Sequence, residues 1–125
     1  MCIRDRSLHG LFKKTVTPET EWIEVIGILL DNAIEASPKG STIFLSSKKQ
    51  GDFLELTVSN PAPPLSNTEF MALFGKGVTT KTNRDGHGFG LYNILRMTER
   101  YHGKILTRNE SILNENYVVF GVLMP

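Results

Sequence analysis

Three glycines at alternate positions, Gly86, Gly88 and Gly90, stand immediately before an amphipathic run that opens at Leu91. Without a Cβ, this backbone can take positive φ and bring bare N–H groups against a ligand at a helix start, which is how a chain builds an anion cradle. Lys76, Lys81 and Arg84, together with Thr79, Thr80 and Thr82, precede the glycines. A polyphosphate would find both cations and hydroxyls there. The alternative for a glycine-rich basic stretch standing alone is a solvated connection with no ligand.

Two asparagines lie where an amide could serve the same ligand. On a helical wheel Glu24, Asp31, Glu35 and Asn32 fall on an arc of about a quarter to a third of the circle, with Asn32 at the edge nearest the apolar residues. Small Ala33 and Ala36 flank it, so its amide can reach a ligand or a hydrated metal ion; an ordinary solvated face is the competing reading. Asn60 ends a run in which Leu54, Leu56, Val58 and Asn60 share one face and Glu55, Thr57 and Ser59 the other. It therefore points inward and needs either a backbone partner or a ligand, unless it only forms the turn before Pro61.

The elements that must position these residues follow from the pattern. Leu11–Val16 has the composition of a short edge strand. Thr17-Pro18-Glu19 reads as an N-cap, a proline at the first helical position and an acid in the first turn, opening a helix that stops at Ser37-Pro38-Lys39-Gly40. Ile23, Val25, Ile26, Leu29, Leu30, Ala33 and Ile34 cover most of its circumference, which predicts a largely buried helix. Ser41–Lys49 and Phe53–Asn60 alternate around Gln50-Gly51-Asp52 and predict a β-hairpin. After the irregular Pro61-Ala-Pro-Pro64, Ser66-Asn-Thr-Glu69 is a capping box for a short helix carrying Phe70, Leu73 and Phe74. A helix from Leu91 places Ile94, Leu95, Thr98 and Tyr101 on one stripe and closes at His102-Gly103, followed by strands over Lys104–Arg108 and Tyr117–Met124. The fold class predicted is α+β, a two-layer sandwich with four or five mainly antiparallel strands in a mixed sheet and helices on one face.

Composition bounds the rest. The 125 residues are 40% hydrophobic and 22% charged, enough for one small domain. A formal net charge of +1 offers no general attraction for nucleic acid or a membrane surface. The lone Cys2 excludes an internal disulfide and a cysteine metal site, no apolar run is long enough to span a membrane, and a reducing, cytoplasmic setting is the expectation. Residues 1–7 read as the translation of a transposon-end adapter plus its junction. Residues 8–125 are then expected to be an N-terminally truncated domain.

Ile26-Gly-Ile-Leu-Leu-Asp-Asn-Ala-Ile-Glu-Ala36 resembles the N box, and Gly86-His-Gly-Phe-Gly-Leu91 the last glycine box, of histidine-kinase ATP-binding domains. The resemblance, with Lys76-Gly-Val-Thr-Thr-Lys81 between the boxes, covers nearly all of residues 17–125 and is most marked toward peptide-pheromone receptor kinases of the accessory gene regulator type. It implies the Bergerat ATPase fold, with ATP and Mg²⁺ as ligands. By position, Asn32 would hold the metal that bridges the phosphates, and the backbone of Gly86, Gly88 and Gly90 would line them. Lys81, in the lid, would touch the terminal phosphate; Lys76, Thr80 and Leu91 complete the implied nucleotide-binding set. Asn60 replaces the Asp that usually accepts a hydrogen bond from the adenine amino group, so the bond lacks charge assistance. Ala62 and Pro64 replace the glycines that usually follow it.

Ile28 stands one turn before Asn32, where hydrolysing members of the superfamily carry a general-base Glu, and the resemblance therefore implies slow intrinsic hydrolysis. His9, His87 and His102 lie in contexts unlike the phosphoacceptor helix of the family. The implied function is to bind Mg-ATP and donate the γ-phosphoryl to a histidine on a separate dimerisation domain of the same parent kinase, a membrane protein, with a response regulator downstream. The alternative is a degenerate module that acts only through protein contact. A hydrolysing ATPase is disfavoured by Ile28.

Overall fold

The computed structural model describes residues 12, 15–75 and 90–125. Helix α1 (Glu19–Ala36) is followed by strands β1 (Phe44–Gln50) and β2 (Phe53–Pro61), helix α2 (Asn67–Leu73), helix α3 (Gly90–Arg100), and strands β3 (Lys104–Ile112) and β4 (Glu115–Met124). The strands form one sheet in the order β1-β2-β4-β3, and every pairing is antiparallel. The expected α+β two-layer arrangement is present, but the expected mixed sheet is not: among the described residues no two neighbouring strands are paired in parallel.

Alternation decides which face is covered. Leu54, Leu56 and Val58 of β2 and Val118, Phe120, Val122 and Met124 of β4 are buried in one cluster with Trp22, Val25, Leu29 and Ala33 of α1 and Leu91, Ile94 and Met97 of α3. Phe70 and Phe74 join them through ring contacts with Phe120 at 5.4 and 6.0 Å. The three helices α1, α2 and α3 thus lie on the same side of the sheet. The hairpins are closed by residues at positive φ, Gly51 between β1 and β2, and Leu113 and Asn114 between β3 and β4. Two central residues with φ > 0 make the turn whose twist matches that of the flanking strands.

Several sequence expectations require correction. Phe12 is helical and Thr15–Thr17 are bends, so the edge strand over Leu11–Val16 is absent from its described part. Phe12 instead stacks on Trp22 at 5.4 Å, while the Trp22 indole donates to Thr15 Oγ1 at 2.9 Å. Thr17 is not the N-cap of α1. That position falls to Pro18 without a side-chain cap, because the Thr17 hydroxyl donates across the chain to the carbonyl of Pro125 at 2.8 Å. Ile23 and Ile34 are 57% and 49% exposed. A single sheet beneath α1 covers only the arc around Trp22, Val25, Leu29 and Ala33, and nothing described packs over the flank that carries the two isoleucines.

The capping box is present as expected: Ser66 Oγ accepts from the Glu69 amide at 3.1 Å and the Glu69 carboxylate accepts from the Ser66 amide at 2.9 Å. Helix α3 closes with His102 at φ 60°, its amide bonded to the Glu99 carbonyl and that of Gly103 to the Thr98 carbonyl at 2.7 Å. This Schellman arrangement aims the chain directly into β3.

Candidate nucleotide site

Both ends of α1 are tied to the sheet, and this fixes which end of the sheet Asn32 overlies. At its start the Thr17 amide and hydroxyl bond to Pro125, just past Met124, the residue paired with Leu54 at the beginning of β2. At its finish the short link 37–43 leads to Phe44, which pairs with Ser59 near the end of β2. Asn32, one turn before the helix ends, therefore lies over the end of the sheet that carries Asn60.

Helix α3 runs the opposite way. Its C-terminus feeds β3, where Lys104 pairs with Leu123, so its first residue, Gly90, belongs to the Asn60 end as well. A Cβ built on Gly90 would sit 3.2 Å from Ile28 Cγ2. Ile28 and Asn32 are four residues apart on one helical face. The start of α3 consequently abuts α1 within a turn of the candidate metal ligand, where a side-chain carbon on residue 90 would crowd Ile28. Leu91 is buried in the core and anchors that first turn.

Asn60 is 1% exposed, on the covered face of β2. Its Nδ2 donates to the Pro61 carbonyl at 3.3 Å, and its Oδ1 is buried with no hydrogen-bond partner among the described residues. Leaving a buried acceptor unsatisfied costs about 1–3 kcal/mol. Asn32 is half-buried, as its place at the margin of the apolar arc requires. Among the described residues no group of three His, Cys, Asp or Glu side chains could hold a metal ion. Lys76, Thr80, Lys81, Gly86 and Gly88 lie outside the described residues.

Glu69 sits in the helix that precedes the glycine-rich stretch. The hydrogen bond from the Ser66 amide, then that of the Ser66 hydroxyl, lowers its carboxyl pKa. A surface groove of about 640 Å³ lined by Tyr92, Leu95, Arg96, Glu99 and Arg100 runs along the outer side of α3 and includes none of the candidate residues.

Two residues that the sequence reading passed over also belong here. Asn109 and Asn116, on the β3–β4 hairpin, bond to the backbone of Leu65 and Ala62 in the loop after Asn60. The available signal was the loop itself, whose prolines leave few amides to hold it in place.

A family model described as the GHKL domain matches residues 20–125. The chain belongs to the GHKL domain family. Curated relatives include sensor proteins and sensor kinases: the chain is 33% identical to the sensor protein PhoQ of Escherichia coli K12 over 110 residues, 85% of this chain and 22% of that protein. It is 30% identical to the sensor histidine kinase CitA of Klebsiella pneumoniae over 113 residues, 87% of this chain and 19% of that protein. The chain thus spans about a fifth of the length of these relatives.

Among solved structures, the catalytic domain of the histidine kinase ThkA superposes with a TM-score of 0.63 at 27% identity, over 82% of this chain and 66% of that one. The mycobacterial sensor histidine kinase MprB gives a TM-score of 0.73 at 16% identity, over 89% and 76%, and speaks for the fold alone. The GHKL domain described here therefore has the fold of a histidine-kinase catalytic domain. Among its described residues no helix is long and apolar enough to cross a membrane.

Proposed function

We propose that this GHKL domain binds Mg-ATP and presents the γ-phosphoryl group to a histidine on the dimerisation and phosphoacceptor domain of its parent sensor kinase, from which a response regulator receives it. The observation that carries the reading is the orphaned acceptor of Asn60, buried at the end of a core strand. An adenine amino group is a donor of the right kind for it, and burial makes such a bond count.

Asn32, beside the start of α3, would hold Mg²⁺ through its amide oxygen. When bound, Mg²⁺ neutralises charge on the phosphates and so favours phosphoryl transfer. Gly90, with Gly86 and Gly88, would present backbone amides to the phosphates, and Lys76, Thr80 and Lys81 would add a cation, a hydroxyl and a second cation. Leu91 fixes the first turn of α3 on the core. Ile28 has no proton to give or take, so its position supplies no general base to water near the γ-phosphate, which favours keeping the phosphoryl group for its acceptor. The finer assignment to the peptide-pheromone receptor type rests on Asn60, Ala62 and Pro64 standing where other family members have Asp and glycines.

Titration with a fluorescent ATP analogue, with and without Mg²⁺, tests the proposal. Saturable binding that Mg²⁺ strengthens, and that Asn32→Ala renders indifferent to Mg²⁺, is the expected result. Absence of binding would leave a module that works only through protein contact, and steady phosphate release by the isolated domain would instead indicate a hydrolase.

A further inference from the structure

The loop that leaves β2, Pro61-Ala-Pro-Pro-Leu65, contains two main-chain N–H groups, those of Ala62 and Leu65, because proline supplies none. Both are engaged by the β3–β4 hairpin. The Leu65 amide donates to Asn109 Oδ1 at 3.0 Å, and Asn109 Nδ2 returns a bond to the Leu65 carbonyl at 2.8 Å. The Ala62 amide donates to the Asn116 carbonyl at 3.1 Å, and Asn116 Nδ2 returns a bond to the Ala62 carbonyl at 2.8 Å. Asn116 Nδ2 also lies 3.4 Å from Asn109 Oδ1, which links the two clamps.

The clamped loop begins at the residue that orients Asn60. Pro61 is paired with Tyr117 on the hairpin side, and its carbonyl accepts from Asn60 Nδ2 at 3.3 Å. A side-chain amide offers one donor end and one acceptor end, so a carbonyl held against the donor leaves the acceptor turned the other way. The Oδ1 without a partner is that acceptor.

We infer that Asn109 and Asn116 are positioning residues for the base: by fixing the Pro61–Leu65 loop they hold the Pro61 carbonyl against Asn60 Nδ2 and keep Asn60 Oδ1 available to a purine 6-amino group. The inference rests on the nucleotide reading above. It supplies a physical substitute for a glycine turn at this loop, with the rigidity coming from prolines, the bidentate side-chain amide of Asn109, and the main-chain carbonyl and side-chain NH₂ of Asn116, in place of a free backbone conformation.

Calorimetric titration of Mg-ATP and Mg-ITP into the wild-type domain, Asn109→Asp and Asn116→Asp tests it. ITP carries a 6-oxo group where ATP has the amino group, and each substitution keeps side-chain shape while removing the NH₂ donor. The wild-type domain should prefer ATP by about tenfold, and each variant should lose most of that preference, through a rise of about fivefold in the Kd for ATP with little change for ITP. Asn109→Leu and Asn116→Leu should lose it further. Hydrogen exchange at the Ala62 and Leu65 amides reports directly whether the loop has been released. Faster exchange with an unchanged ATP-to-ITP ratio, or an equal loss for both nucleotides, would overturn the inference while leaving the nucleotide reading intact. A wild-type domain that binds neither nucleotide would overturn both.

Discussion

Asn60 presents a conflict between stability and binding in a single side chain. Its acceptor is buried and unpaired, so the free domain carries a penalty that a ligand could remove. Asn60→Leu, of similar size and without polar atoms, is expected to leave the domain as stable as before or more stable by about 1 kcal/mol in urea unfolding, while abolishing most of its affinity for ATP. A loss of several kcal/mol would show that the amide serves the fold. An Asn at this place was readable as inward-facing from the alternation in β2, but its lack of a partner was not, because that depends on what Val118, Pro61 and the helices across the core leave vacant.

At the scale of elements, α1 combines a correctly read length with a misjudged face. The wheel spread apolar residues over most of its circumference, yet burial depends on what lies opposite, and one sheet covers only one arc. Leu29→Ala should therefore cost about 2–5 kcal/mol and Ile34→Lys within about 0.5 kcal/mol of nothing, as measured by denaturant midpoints. Similar losses at the two positions would mean that the flank is covered. The sequence also indicated Thr17 as a cap, since Thr-Pro-Glu suits a helix start, but it could not show that the carbonyl of Pro125 claims that hydroxyl from 108 residues away. Short-range signals fared better, as in the capping box of α2, where both partners are three residues apart.

That capping box is pH-dependent with a definite sign. The folded-state pKa of Glu69 is lowered by its bonds from Ser66, so its contribution is present above the ordinary carboxylate pKa and is lost as the pH falls through the lowered value. The stability gap between the wild-type domain and Glu69→Ala should narrow as the pH drops through that range in thermal melts. A gap that stays constant on acidification would remove the carboxylate from the account.

For the whole molecule, the topology explains why distant sequence boxes can act together. α1 is tied at its start to Pro125 after β4 and leads at its finish into β1, the two neighbours of β2, while α3 runs back against it into β3, and Asn32 and the start of α3 are thereby brought toward the end of the sheet where β2 stops. The α+β class was legible because it rests on local periodicity plus short connections. The hairpin asparagines were not, because their partners lie 44 and 54 residues away. Since a ligand that binds only the folded state stabilises it by mass action, Mg-ATP at a hundred times its Kd should add about 2.7 kcal/mol to unfolding stability. Under the same conditions radiolabelled ATP should leave the chain unlabelled, because the proposed acceptor histidine belongs to another domain; label on a histidine of this chain would contradict that division of labour.

The central claim is that Asn32, Asn60 and the glycines at the start of α3 address one nucleotide. It is tested most directly by following the side-chain amide signals of Asn32 and Asn60 and the backbone amide of Gly90 by NMR during a single Mg-ATP titration. The three should move together, with one common saturation curve, and the Asn60 signal should also respond to adenosine alone. Nucleotide-dependent shifts confined to the opposite face of the sheet, around Phe44 and Tyr117, with these three unmoved, would contradict it.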